Sequence, residues 1–164
     1  MGRLQAYLKR VGIPFVTTPQ FVVNGQPQFS ESSSVWIGQT PDSRTFSLTG
    51  QPEISVQMAE NSVVQTNIGP ANLSIRSSVS LVRYTRSLST RVTSGDNNGR
   101  ELKNASVVRE LRSVALYVGL PLTLKVPVPS YDLSSDTIAV ILHEIDPGPI
   151  IAATLLRRQF EAGP

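Results

Sequence analysis

Apolar and polar positions along the chain fall into two rhythms. Over residues 1–11, Leu4, Tyr7, Leu8 and Val11 recur at intervals of three, four and seven, with Arg3, Lys9 and Arg10 off that stripe. This is the spacing of one face of an α-helix. Gly12 and Pro14 stop it, one by tolerating a left-handed cap and the other by lacking an N–H. From Glu53 the period drops to two: Ile54, Val56 and Met58 alternate with Ser55, Gln57 and Ala59, as a strand with one buried face requires. Further strand signals lie at 61–68, at Leu73 and Ile75, at Val79 to Tyr84 and at 88–93. Residues 105–118 read as a long strand, although Val107-Val108-Arg109-Glu110-Leu111 also fits a helical turn. Runs at 122–126, 138–145 and 150–156 complete the set. About eight short strands separated by turn signals predict an antiparallel β-sandwich over 53–164. Its expected core holds Ile54, Val56, Leu73, Ile75, Leu81, Val107, Leu111, Ile138, Val140 and Ile150.

Between helix and sandwich the sequence predicts a hairpin. Phe21-Val22-Val23 is strand-forming, Asn24-Gly25 is the strongest two-residue hairpin signal, and Gln26 to Phe29 returns. Pro27 has no N–H, so its strand is expected to lie at an edge or to start there. The hairpin and helix make one element, residues 1–30. Residues 31–52 form a Ser-, Pro- and Gly-containing connector in which Trp36, flanked by Val35 and Ile37, is a packing anchor or an interface anchor.

Composition supports this mainly β reading. Hydrophobic residues make up 40% of the 164-residue chain and charged residues 16%, the latter well under the usual share of about 25%. No run of about 18 apolar residues occurs, so no membrane-spanning helix is expected. Charge is unevenly spread. Between Asn61 and Gly95 lie Arg76, Arg83, Arg86 and Arg91 with no Asp or Glu. These arginines are solvated strand positions or a surface for an acidic protein or an anionic lipid. Without interleaved exposed aromatics they make a poor platform for single-stranded nucleic acid, which is not expected as a partner.

Candidate chemistry is sparse. The chain has no cysteine, so it contains no thiolate for exchange chemistry and no disulfide. His143 is the single histidine and reads as a satisfied strand-end residue. No Gly-x-Ser-x-Gly nucleophile turn is present. Asp96, Glu101, Asp132, Asp136, Glu144 and Asp146 have no metal-ligand spacing, and no cofactor or metal site is expected. The most distinctive stretch is Gly95 to Arg100. Gly95, Asn97, Asn98 and Gly99 all take positive φ cheaply. The loop therefore reads as a structural corner held by Asp96 and Asn side chains, with Arg100 paired nearby; phosphate binding is the competing reading.

Three pieces resemble one family, the bacterial secreted proteins labelled domain of unknown function 1223. Thr18-Pro19-Gln20-Phe21-Val22-Val23-Asn24-Gly25 is similar to that family's first element. Gly95-Asp96-Asn97-Asn98-Gly99-Arg100-Glu101-Leu102, with Asn104 and Val107-Val108-Arg109, resembles its middle element. Gly148-Pro149-Ile150-Ile151-Ala152-Ala153 is similar to its closing strand, and the match spreads over roughly residues 5–157. The resemblance implies a thioredoxin-like half joined to a β-sandwich, with residues 1–30 as a remnant of that half and a cis peptide at Pro19. It also implies a departure: family members carry a cysteine-bearing segment that this chain lacks.

Together these readings lead us to expect a non-catalytic accessory or structural subunit of a larger assembly, with other protein subunits as partners. An organellar setting, mitochondrion or plastid, is expected; a truncated stand-alone periplasmic or secreted protein is the alternative.

Overall fold

The computed structural model describes residues 3–12, 21–28, 50–73, 76–128, 136–145 and 148–156. Helix α1 spans Arg3–Val11. It ends at Gly12, whose φ is +73° and whose N–H reaches Lys9 O, as the stop signal requires. Strands β1 (Phe21–Val23) and β2 (Gln26–Gln28) form the hairpin, with Asn24 and Gly25 both at positive φ, which is what a type I′ turn demands. Pro27 stands opposite Val22 in a strand that pairs only with β1 among the described residues. The described helix and hairpin are compatible with the thioredoxin-like element that the resemblance implies. The peptide at Pro19 and the anchor Trp36 lie outside the described residues.

The remaining strands are β3 (Ile54–Ala59), β4 (Val63–Ile68), β5 (Ser77–Arg91), β6 (Glu101–Tyr117), β7 (Leu122–Pro127), β8 (Asp136–Glu144) and β9 (Ile150–Leu155). They build two antiparallel sheets, β3-β4-β7 and β6-β5-β8-β9. The sheets bury their facing sides against one another. Val64 and Ile68 of β4 meet Val79, Leu81, Ile138, Val140, Leu142, Tyr117 and Ile151, all nearly or fully buried. Each such aliphatic side chain contributes about 1.5–3 kcal/mol by leaving water. The chain is mainly β, as the period of two predicts.

Strand boundaries differ from the sequence reading. The expected pieces at 79–84 and 88–93 are one continuous strand, β5, and β6 starts at Glu101 rather than near 105. Two bulges interrupt the β5–β6 register, after Val79 and after Arg83, leaving Val114 and Arg109 as the extra residues. Each bulge reverses which face the following residues occupy. Leu111, expected in the core, consequently lies opposite Val82 on the outer face and is 42% exposed. Leu81, Ile138 and Val140 are buried as expected, while Ile54, Val56, Leu73, Val107 and Ile150 are half-buried.

β8 is buried on both faces. Its inner residues Ile138, Val140 and Leu142 belong to the core, yet Ala139 and His143 on the other side are buried too. A third layer therefore covers the four-stranded sheet: α1, which buries Tyr7 and Leu8, and the hairpin.

Candidate functional site

The covering layer meets the sheet where three distant segments lock together. The Asn24 carbonyl accepts from the Ile150 N–H at 2.9 Å, so the hairpin turn docks on the start of β9. Gly25 is pressed against Gly148: a Cβ on Gly25 would stand 2.1 Å from the Gly148 carbonyl oxygen. Gly148 is confined as well, since a Cβ there would stand 2.5 Å from the Glu144 Cβ and 2.9 Å from Arg10 Nη1. Over it, Arg10 Nη2 donates to Glu144 Oε2 at 2.8 Å. Glycine at both positions is thus a matter of space, and at Gly25 of positive φ as well.

Beneath this junction a polar couple sits on the outer face of the sheet. His143 Nδ1 lies 2.7 Å from the Glu144 carbonyl oxygen, and Ser80 Oγ lies 2.8 Å from His143 Nε2. A carbonyl only accepts, so Nδ1 carries the proton, and in the neutral imidazole Nε2 accepts the Ser80 O–H. Both side chains are buried. They line an open-sided cavity of about 400 Å³ together with Tyr7, Val22, Leu111 and Ile141.

A second cluster ties β5, β6, β7 and β8 at one end of the sandwich. Asp136 accepts from Arg83 Nη1 and from Thr85 Oγ1, each at 2.8 Å. Arg109, the bulge residue, donates from Nε to Thr85 Oγ1 at 3.0 Å. Glu110 lies 3.6 Å from Arg83 Nε and 3.5 Å from Arg112 Nε, and Arg112 Nη2 donates to the Pro127 carbonyl. The Asp136 hydrogen bond, opposed by burial, raises the Arg83 pKa. Arg83 was a candidate surface cation; the structure turns it inward, because it shares the face of Leu81 and meets a buried carboxylate.

The Gly95–Arg100 stretch lies elsewhere. β5 pairs with β8 only as far as Thr85, opposite Asp136. Beyond that point β5 and β6 continue as a two-stranded ribbon, residues 86–106, with Ser106 at φ +52° where β6 leaves the sheet. The loop closes the tip of this ribbon rather than a corner of the sandwich, and backbone bonds close it: Asn98 N–H to Gly95 O, Arg100 N–H to Asn97 O, Gly99 N–H to Val92 O and Val92 N–H to Arg100 O. Gly95 and Gly99 hold φ of +76° and +82° in open space. Asp96, Asn97 and Arg100 are exposed, and the expected side-chain pairing of Asp96 and Arg100 is replaced by this backbone closure. Arg86, Arg91 and Asn104 are exposed on the ribbon, and Arg76 is exposed just before β5.

The residues singled out in the sequence therefore do not form one site. Asn24 and Gly25 belong to the junction, Arg83 and Arg109 to the cluster around Asp136, and the rest of the described set to the ribbon and its approach. Sequence reasoning missed Ser80, and it picked out Gly148 only as part of the closing family element, not as a packing position. The available signal was the period of two, which places Ser78, Ser80 and Val82 on the face opposite Val79 and Leu81. Among the described residues no group of three or more His, Cys, Asp or Glu is placed to hold a metal ion, and no helix is long and apolar enough to cross a membrane.

Comparison with known proteins supports the family. The crystal structure of a protein from Agrobacterium tumefaciens superimposes with a TM-score of 0.73 at 22% identity, covering 98% of this chain and 72% of that one. That likeness shows the fold. No curated protein matches the chain. The profile described as "Protein of unknown function (DUF1223)" matches residues 2–143, and the chain belongs to that family.

Proposed function

We propose that the chain is a non-catalytic accessory subunit that docks an acidic partner polypeptide along the 86–106 ribbon. The observation that carries this reading is the ribbon itself. It presents Arg91, Arg100 and Lys103 beside Asp96 and Glu101, and Glu101 is engaged by Ser89. Among the described residues its outer strand, β6, is a sheet edge of 17 residues, with Leu102 and Val108 exposed along it. A long edge of unpaired backbone groups is a template for an added strand, and the cations select an acidic one. Supporting the non-catalytic part, the sequence holds no cysteine for thiol chemistry.

A photo-crosslinking residue in place of Asn104, introduced in the native host, tests the reading. A single salt-sensitive polypeptide partner is expected, and Arg91→Glu with Lys103→Glu should abolish the crosslink. Capture unchanged by the charge reversal, or a chain that stays monomeric and uncrosslinked, overturns it in favour of a stand-alone protein.

A further inference from the structure

The open-sided cavity of about 400 Å³ beside the buried polar couple is of the size that small-molecule sites occupy. Its walls are mostly apolar: Tyr7 from α1, Val22 from the hairpin, Leu111 from β6, Ile141 from β8 and Ile150 from β9. Its polar floor is Ser80 and His143, and Asn24 of the hairpin turn adds a polar group to the lining. We propose that this cavity binds a small uncharged, largely apolar molecule carrying one hydroxyl or N–H group, which the Ser80–His143 couple receives.

Two observations set the ligand class. The first is proton direction. His143 Nδ1–H is committed to the Glu144 carbonyl, and Nε2 takes the Ser80 proton. The Ser80 oxygen keeps its lone pairs, so the couple offers acceptors, and a donor group on the ligand completes it. The second is charge. Among the described residues no Asp, Glu, Lys or Arg lines the cavity, and the charged pair packed over Gly148, Arg10 and Glu144, is matched at 2.8 Å. A carboxylate or ammonium ligand would lose its hydration without gaining a counter-charge. The walls come from α1 and the hairpin as well as from the sheet, so occupation also clamps the covering layer down.

The test is a titration of the full chain with 4-ethylphenol, followed by the imidazole nitrogen resonances of His143; 4-ethylbenzoate and ethylbenzene serve as comparators. Saturable shifts with 4-ethylphenol are expected, with each comparator weaker by about tenfold, the scale of one lost hydrogen bond or one uncompensated charge. Ser80→Ala should weaken the phenol by a similar factor. Leu111→Trp, at a rim position exposed enough to leave folding intact, should fill the cavity and abolish the shifts. Resonances unmoved at millimolar 4-ethylphenol, equal response to the benzoate, or binding undisturbed by Leu111→Trp overturns the proposal. None of these readouts depends on the ribbon or its partner.

Discussion

At the scale of single residues, two glycines of the same backbone type carry different demands. Gly25 and Gly95 both have φ of +76°, but only Gly25 has a neighbour where its Cβ would go. Gly95→Ala meets the left-handed penalty alone and should cost about 1–2 kcal/mol in urea unfolding. Gly25→Ala adds a backbone clash at the Gly148 carbonyl, which no rotamer change relieves. The cheapest response is for the hairpin to lift away, breaking the Asn24–Ile150 bond. Faster hydrogen exchange at the Ile150 amide, with the amides of β4 still protected, is the expected signature of such local opening. Uniform loss of protection in both would mean that the hairpin and sandwich unfold together.

Tyr117 gives the residue scale a pH dependence. It is buried in the core, and its O–H donates to the Gly69 carbonyl. Burial raises its pKa above the ordinary 10.0. The unfolded chain then releases the phenol proton first as pH rises. The folded state holds more protons in that window, so stability falls with increasing pH. The contribution is intact below pH 10.0 and is lost as pH climbs through the raised native value. Tyr117→Phe should cost about 1 kcal/mol at neutral pH for the lost hydrogen bond and should flatten this alkaline slope. An unchanged slope in the variant would assign the alkaline loss to other groups.

At the scale of elements, the long β5–β6 hairpin shows what a period of two can and cannot convey. Alternation identified strand after strand, because one buried face leaves its mark on every second residue. It did not reveal that Tyr84 to Leu88 continues as strand, since Thr85, Arg86 and Ser87 carry no apolar mark once the partner sheet has ended. Nor did it reveal the bulges at Arg109 and Val114, which depend on pairing rather than on local composition. Leu111 was misplaced for that reason alone. The Asn-Gly turn of the first hairpin, by contrast, was fully legible, because its required φ values belong to its own two residues. The ribbon's independence can be measured. Replacing residues 87–105 with an Asn-Gly turn keeps the Thr85–Val107 pair and the Arg83–Asp136 contacts. Thermal unfolding should shift by only a few degrees, as for loss of an exposed element, while association with an acidic partner disappears. A collapse of the fold would place the ribbon in the sandwich's own stability instead.

For the whole molecule, the third layer decides how the parts depend on one another. The sequence divides into a small N-terminal element, a connector and a sandwich, a division that suggests independent folding of the last. The two-sided burial of β8 argues for dependence. Without α1 and the hairpin, the four-stranded sheet would present Ile141 and Ile150 beside Leu111, which is already exposed. A contiguous apolar patch of this kind drives association. Tyr7 and Leu8 together contribute about 3–6 kcal/mol through their burial, and the Arg10–Glu144 pair and the Gly25–Gly148 approach fix where that burial happens. A chain of residues 50–164 should therefore keep its strand content by circular dichroism but bind a hydrophobic dye and self-associate. Ile141→Lys, which breaks the patch at its centre, should restore a monomer. If the shortened chain is monomeric and dye-free without that substitution, the helix and hairpin are an appendage, and the sandwich is the folding unit.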